Sequence, residues 1–108
     1  MFELVENWSE PIGPFTLEAD SAPVDLTGCS VTAMFRDGTD ARVLKMDCPL
    51  VVDPDQVGNK GQLTLHPQSN FFTHTPFPWR LRFRVIGPGG EVVYFPNKQA
   101  YDVQVWPQ

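Results

Sequence analysis

Prolines and glycines punctuate this sequence so evenly that the longest stretches free of both, Met1–Glu10, Thr39–Cys48 and Asn97–Trp106, are ten residues each. A globular helix ordinarily wants about that length or more without interruption, so any helix here is short. Brief apolar runs between regularly spaced turn signals point instead to an all-β chain built as a sandwich or barrel of short strands.

Period-two alternation locates those strands. Trp79, Leu81, Phe83 and Val85 alternate with Arg80, Arg82 and Arg84, so one face of this segment is wholly apolar and the other wholly cationic. A helix would scatter the arginines around its circumference. Gly87-Pro88-Gly89-Gly90 then makes a tight connection to Glu91–Phe95, which reads as a β-hairpin. Pro96 and Asn97 stop that strand, and Tyr101, Val103 and Val105 alternate in a closing one. Upstream, Cys29, Val31, Ala33 and Phe35 alternate before a turn at Asp37-Gly38, and Leu63 and Leu65 alternate after the Gly58–Gly61 turn. Phe15 and Leu17 supply a first short strand, and Ala41–Met46 a weakly patterned one. The segment 66–72 lacks alternation, and Pro67 suits the first turn of a single helical turn there. The expectation is about seven short antiparallel strands over residues 15–108, preceded by an N-terminal arm, 1–14. Trp79, Leu81, Phe83, Val85, Val31, Phe35, Leu63, Leu65, Val103 and Tyr101 are its expected core.

Composition sets bounds on function. Thirteen acidic and eight basic side chains give a net charge of −5, which phosphate backbones repel, so no nucleic-acid partner is expected. No apolar run approaches the roughly 18–20 residues that span a bilayer, and Met1–Trp8 has neither a basic region nor an apolar stretch of the secretory kind. No membrane partner is expected either. The two cysteines, Cys29 and Cys48, are expected to be free thiols. With no CxxC and only His66 and His74, no zinc site assembles at the usual spacing, and no cofactor motif is present.

Nor do the residues carry a catalytic pattern. There is no GxSxG elbow, P-loop, HExxH or GxGxxG. The glycines at 87–90 lack the Lys-Ser/Thr that would make them a phosphate loop, and Asp53-Pro54-Asp55 has too few oxygens for a calcium loop. His66 and His74 have no neighbouring nucleophile or orienting carboxylate and read as surface residues. The chain is therefore expected to be a binding module, not an enzyme.

Two sets of residues stand out as partner contacts. Arg80, Arg82 and Arg84 place three guanidinium groups about 7 Å apart on one strand face. They are either a solvated outer face paired with neighbouring carboxylates or a docking stripe for an acidic patch on another subunit. Trp8, Phe77 and Trp106 are the second set, of which the two tryptophans each either cap the core or offer an indole to a partner.

Pro23-Val24-Asp25-Leu26-Thr27-Gly28, preceded by Phe15–Leu17 and followed by Val31, resembles the N-terminal immunoglobulin-like domain of phage baseplate upper proteins. The likeness continues through Gly61-Gln62-Leu63-Thr64-Leu65, the arginine-rich strand, Gly89-Gly90, Phe95-Pro96 and Val103-Gln104-Val105, so it covers about Phe15 to Val105. Asp25 suits a sharp corner by bonding the next residues' backbone, and Gly28 permits a positive φ. The resemblance implies an immunoglobulin-like β-sandwich and a structural virion protein, made in the host cytoplasm. Such a protein joins other virion proteins of the tail, baseplate, neck or fibre in multiple copies or as a homo-oligomer. In that family the domain begins a longer chain, so a sequence ending at Gln108 favours an adaptor, plug or capsid decoration protein over a receptor binder. A carbohydrate- or cell-surface-binding module using Trp106, Trp8 or Tyr101 as stacking platforms is the competing expectation, and an enzyme or enzyme inhibitor the third.

Overall fold

The computed structural model describes residues 2–40, 42–74, 77–96 and 101–108, and among them there is no helix: the chain is all-β. Eleven strands appear among the described residues, more than the expected seven, because several are only two or three residues long.

The longest is β9 (Trp79–Ile86), and its alternation of buried and outward residues follows the sequence pattern directly. Its neighbours build the larger sheet. Strand β5 (Ser30–Arg36) pairs antiparallel along one edge, from Ser30 opposite Ile86 to Arg36 opposite Arg80. Along the other edge run two strands in succession. Strand β10 (Val92–Phe95) ends with Phe95 opposite Phe83, and β11 (Tyr101–Trp106) begins with Tyr101 opposite Leu81. The chain thus advances six residues where β9 advances two. Pro96, with no N–H to give the ladder, follows the last residue of β10. Strand β6 (Leu44–Lys45) extends the β5 side, and β1 (Phe2–Val5) lies parallel to β11, so this path reads β1-β11-β9-β5-β6. A second sheet has the order β2-β8-β7, from β2 (Ile12–Thr16), β8 (Gln62–Leu65) and β7 (Leu50–Val52). A small hairpin, β3 (Glu18–Ala19) with β4 (Ala22–Pro23), connects β2 toward β5.

The buried side chains of both sheets meet in one cluster. Phe15 of β2 stands 5.3 Å from Phe83 of β9 and 5.7 Å from Tyr101 of β11, and Phe35 of β5 is 5.1 Å from Phe71 and 5.3 Å from Phe72. Trp79, Leu81, Phe83 and Val85 are all buried, each contributing roughly 1.5–3 kcal/mol before conformational entropy is charged. Phe35, Leu63, Leu65 and Val103 join them as expected, whereas Val31 and Tyr101 pack against the cluster only partly buried.

Three expectations change. Residues of the expected arm carry β1 and the start of β2, with Leu4 and Ile12 buried in the core, and the β1–β11 pairing is parallel where only antiparallel ones were expected. The segment 66–72 turns without becoming helical. Phe71 N–H bonds Gln68 C=O, and both Phe71 and Phe72 are buried as the chain turns. The expected strand over Ala41–Met46 shrinks to Leu44–Lys45, with residue 41 outside the described residues, as Asn97 also is.

Two corners hold the end of the molecule together. At the first, Thr27 N–H and Oγ–H both bond Asp25 Oδ1, at 2.9 and 2.6 Å, and Gly28 takes φ +73°. Those two bonds hold the exposed Asp25 carboxyl below the ordinary carboxylate range. At the second, Gln56 is buried: its Oε1 accepts from Leu26 N–H (2.9 Å) and Gly61 N–H (3.0 Å), and its Nε2 donates to Asp53 C=O (2.7 Å). One amide side chain thereby ties the loop 53–61 to the 24–28 corner.

Candidate docking face

Because β9 buries its odd-numbered residues, Arg80, Arg82, Arg84 and Ile86 project from the other side of the larger sheet. The register sets their neighbours. Arg80 stands opposite Arg36 on β5 and Asp102 on β11, Arg82 opposite Met34, Arg84 opposite Thr32 and Tyr94, and Ile86 opposite Ser30 and Val92. The three arginines differ in setting. Arg80 is exposed, whereas Arg82 and Arg84 are half-buried among these neighbours.

Arg82 is already engaged within the chain. Its Nε and Nη2 donate to Pro96 C=O at 3.2 and 3.0 Å, and its guanidinium lies 5.9 Å from the centre of the Tyr94 ring. This fork fastens β9 to the point where the chain leaves β10. Arg84 Nε is buried and finds no hydrogen-bond partner among the described residues.

The two tryptophans separate. Trp106 lies on the same side of the sheet as Asp102, about 13 Å further along β11, and is half exposed. Trp8 packs partly buried against the core and donates its indole N–H to Glu10 C=O at 3.1 Å. The structure thus brings Arg80, Arg82, Arg84 and Trp106 to one side of the sheet and places Trp8 against the core.

The other groups singled out in the sequence have local roles. Asp53 and Asp55 accept backbone N–H bonds within their own turn, Asp53 from Asp55 and Asp55 from Val57 and Gly58. Gly87–Gly90 closes the β9–β10 hairpin through Gly87 N–H to Glu91 C=O and Gly90 N–H to Gly87 C=O. His66 is exposed. His74 Nδ1 lies 2.7 Å from Val105 C=O, a contact that requires Nδ1 to carry the proton. Both cysteines are free, and burial, with Asp47 nearby, pushes the Cys48 thiol up to about 11, so it is a poor nucleophile at neutral pH. Among the described residues no three His, Cys, Asp or Glu side chains gather in a way that could hold a metal ion.

Lys45 is a further feature that sequence reasoning passed over. Its Nζ donates to Phe71 C=O at 2.6 Å and sits 5.2 Å from the centres of both the Phe71 and Trp79 rings. It lines an open groove of about 590 Å³ with Leu44, Met46, Asp47, Gln68, Asn70 and Phe71. A single lysine in a weakly alternating segment gives no sequence signal for such a place.

Comparison of the chain with protein-family models, curated proteins and solved structures gives no match.

Proposed function

We propose that this chain is a non-enzymatic structural protein of a bacteriophage particle, an immunoglobulin-like β-sandwich that joins tail, baseplate, neck or fibre components. The observation that carries the reading is the outward arginine row of β9 in a chain whose net charge is −5. Arginines on a rigid strand present directional, bidentate donors to carboxylates, which suits recognition of an acidic protein surface. The sheet orders support the immunoglobulin-like assignment: β2-β8-β7 on one layer and β1-β11-β9-β5-β6 on the other, with the first strand parallel to the last. The sequence resemblance supplies the virion context.

The test uses Arg80, since Arg82 also braces Pro96 and its loss would disturb the fold. Purified particles carrying Arg80→Glu should contain several-fold less of the protein than wild-type particles, while the isolated variant melts normally. Unchanged occupancy would reduce the row to a solvated strand face. The half-exposed Trp106 indole favours the second reading, a glycan-binding module, which a glycan array separates from the first: loss of a glycan signal in Trp106→Ala would support it.

A further inference from the structure

The charges of this molecule are segregated. Arg36, Arg80, Arg82 and Arg84 stand on the outer side of the larger sheet, with Asp102 and Glu3 the acidic residues of its strands on that side. Of the 8 basic and 13 acidic side chains, Lys98 lies outside the described residues, and the described remainder of the molecule carries three basic and eleven acidic ones. One sheet face is therefore net positive on a strongly acidic body.

The negative charge has a centre of its own. Gln56 draws the 53–61 loop onto the 24–28 corner, and Leu17 bonds Gly61 and Val24 through its backbone, which sets the β3–β4 hairpin beside them. These joined segments bear Glu18, Asp20, Asp25, Asp53 and Asp55 against one cation, Lys60. The acidic segments flank the smaller sheet, which packs on the core side of the larger one, whereas the arginines stand on the larger sheet's other side; Glu18 comes nearest to them, beside Pro96.

From this segregation we propose that the arginine face of one copy docks on the acidic end of a second copy, head to tail. The inference rests on the reading of the arginine row as a docking surface and names its occupant. A back-to-back pairing of two arginine faces would set four guanidinium groups against four, which like-charge repulsion opposes. Complementary patches on different surfaces make a heterologous contact instead, and such a contact propagates into a ring or a filament.

Light scattering and sedimentation of the purified chain test this. At about 20 mM salt the mean mass should rise with protein concentration, and at about 0.5 M it should fall back to that of the monomer. Arg80→Glu and Glu18→Lys should each weaken association by about fivefold or more, because each turns one attractive charge repulsive. Mixed in equal amounts, the two variants should associate again. The glutamate introduced at position 80 of one then meets the lysine introduced at position 18 of the other, and the unaltered face of the second variant meets the unaltered end of the first. A chain that stays monomeric at low salt and millimolar concentration would overturn the head-to-tail contact. So would association that ignores both substitutions, or variants that fail to complement. A chain that stays monomeric while Arg80→Glu still loses particle occupancy would overturn the second copy as occupant and leave the docking reading standing; normal occupancy would sink the docking reading itself.

Discussion

Gln56 shows what a single buried polar side chain contributes. Two backbone N–H groups from distant segments, Leu26 and Gly61, share its one carbonyl oxygen. Gln56→Ala leaves both without that acceptor, and each unpaired buried group costs about 1–3 kcal/mol. Urea denaturation should show the variant destabilised by about 2–4 kcal/mol, and a loss under about 0.5 kcal/mol would mean that water replaces the amide freely. Gly61 adds a backbone constraint. It takes φ +79°, and a Cβ there would stand 2.7 Å from Leu17 O, so this corner requires glycine on both counts.

Cys48 gives a pH dependence with a defined sign. Burial keeps the native thiol protonated to about 11, whereas the ordinary value is 9.0. Native protein therefore holds its proton where the unfolded chain has released it. Stability from this group is complete below 9.0 and falls as pH rises toward about 11, by at most about 3 kcal/mol. Tyrosines and lysines titrate in the same window, so the comparison is with Cys48→Ala, whose stability should fall less steeply there. Parallel curves for the two proteins would contradict the assignment. None of this is legible in the sequence. The alternation around Cys29 marks it as the buried thiol, yet Cys29 is half-buried and Cys48 is the deeper, because burial in a turn leaves no periodic trace.

At the level of elements, legibility follows period. Strands β5, β8 and β9 are visible because each keeps one face in the core and one outside over four or more residues. β1 carries a weaker form of the signal: Phe2 and Leu4 flank Glu3, but a four-residue edge strand ahead of a turn resembles an arm. Its parallel partner, β11, is about 100 residues away in sequence, and no local pattern announces such a pairing. The crossover 66–72 escapes for the opposite reason. Adjacent Phe71 and Phe72 both reach the core because the chain turns between strands, so neither a period of two nor of 3.6 describes them. Leu4→Ala tests whether β1 belongs to the folded core. A buried leucine truncated to alanine costs about 2–5 kcal/mol, and the melting temperature should fall accordingly. A variant melting within a degree or two of wild type would return β1 to the status of a loosely attached arm.

The whole molecule combines a shared apolar interior with a polarised surface. The arginine row is legible in the sequence as a spacing, and so is its outward direction, since the intervening residues are apolar. What the spacing does not show is that its members are unequal: Arg82 is half committed to Pro96 and Tyr94, and Arg80 is the exposed one. Trp8 and Trp106 look alike in sequence and part company in the fold, because Trp8 follows β1 onto the core while Trp106 ends β11 on the outer side. Hydroxyl-radical footprinting tests the central claim, that the arginine side of the larger sheet is where this protein meets its neighbours. Met34, Tyr94 and Trp106 share that side with the arginines and oxidise readily, whereas Met46, off on the groove, serves as an internal reference. In purified particles, oxidation of Met34 and Tyr94 should fall several-fold relative to the dilute free protein at high salt, with Met46 changing little. Equal oxidation of Met34 and Tyr94 in the two states would contradict the account.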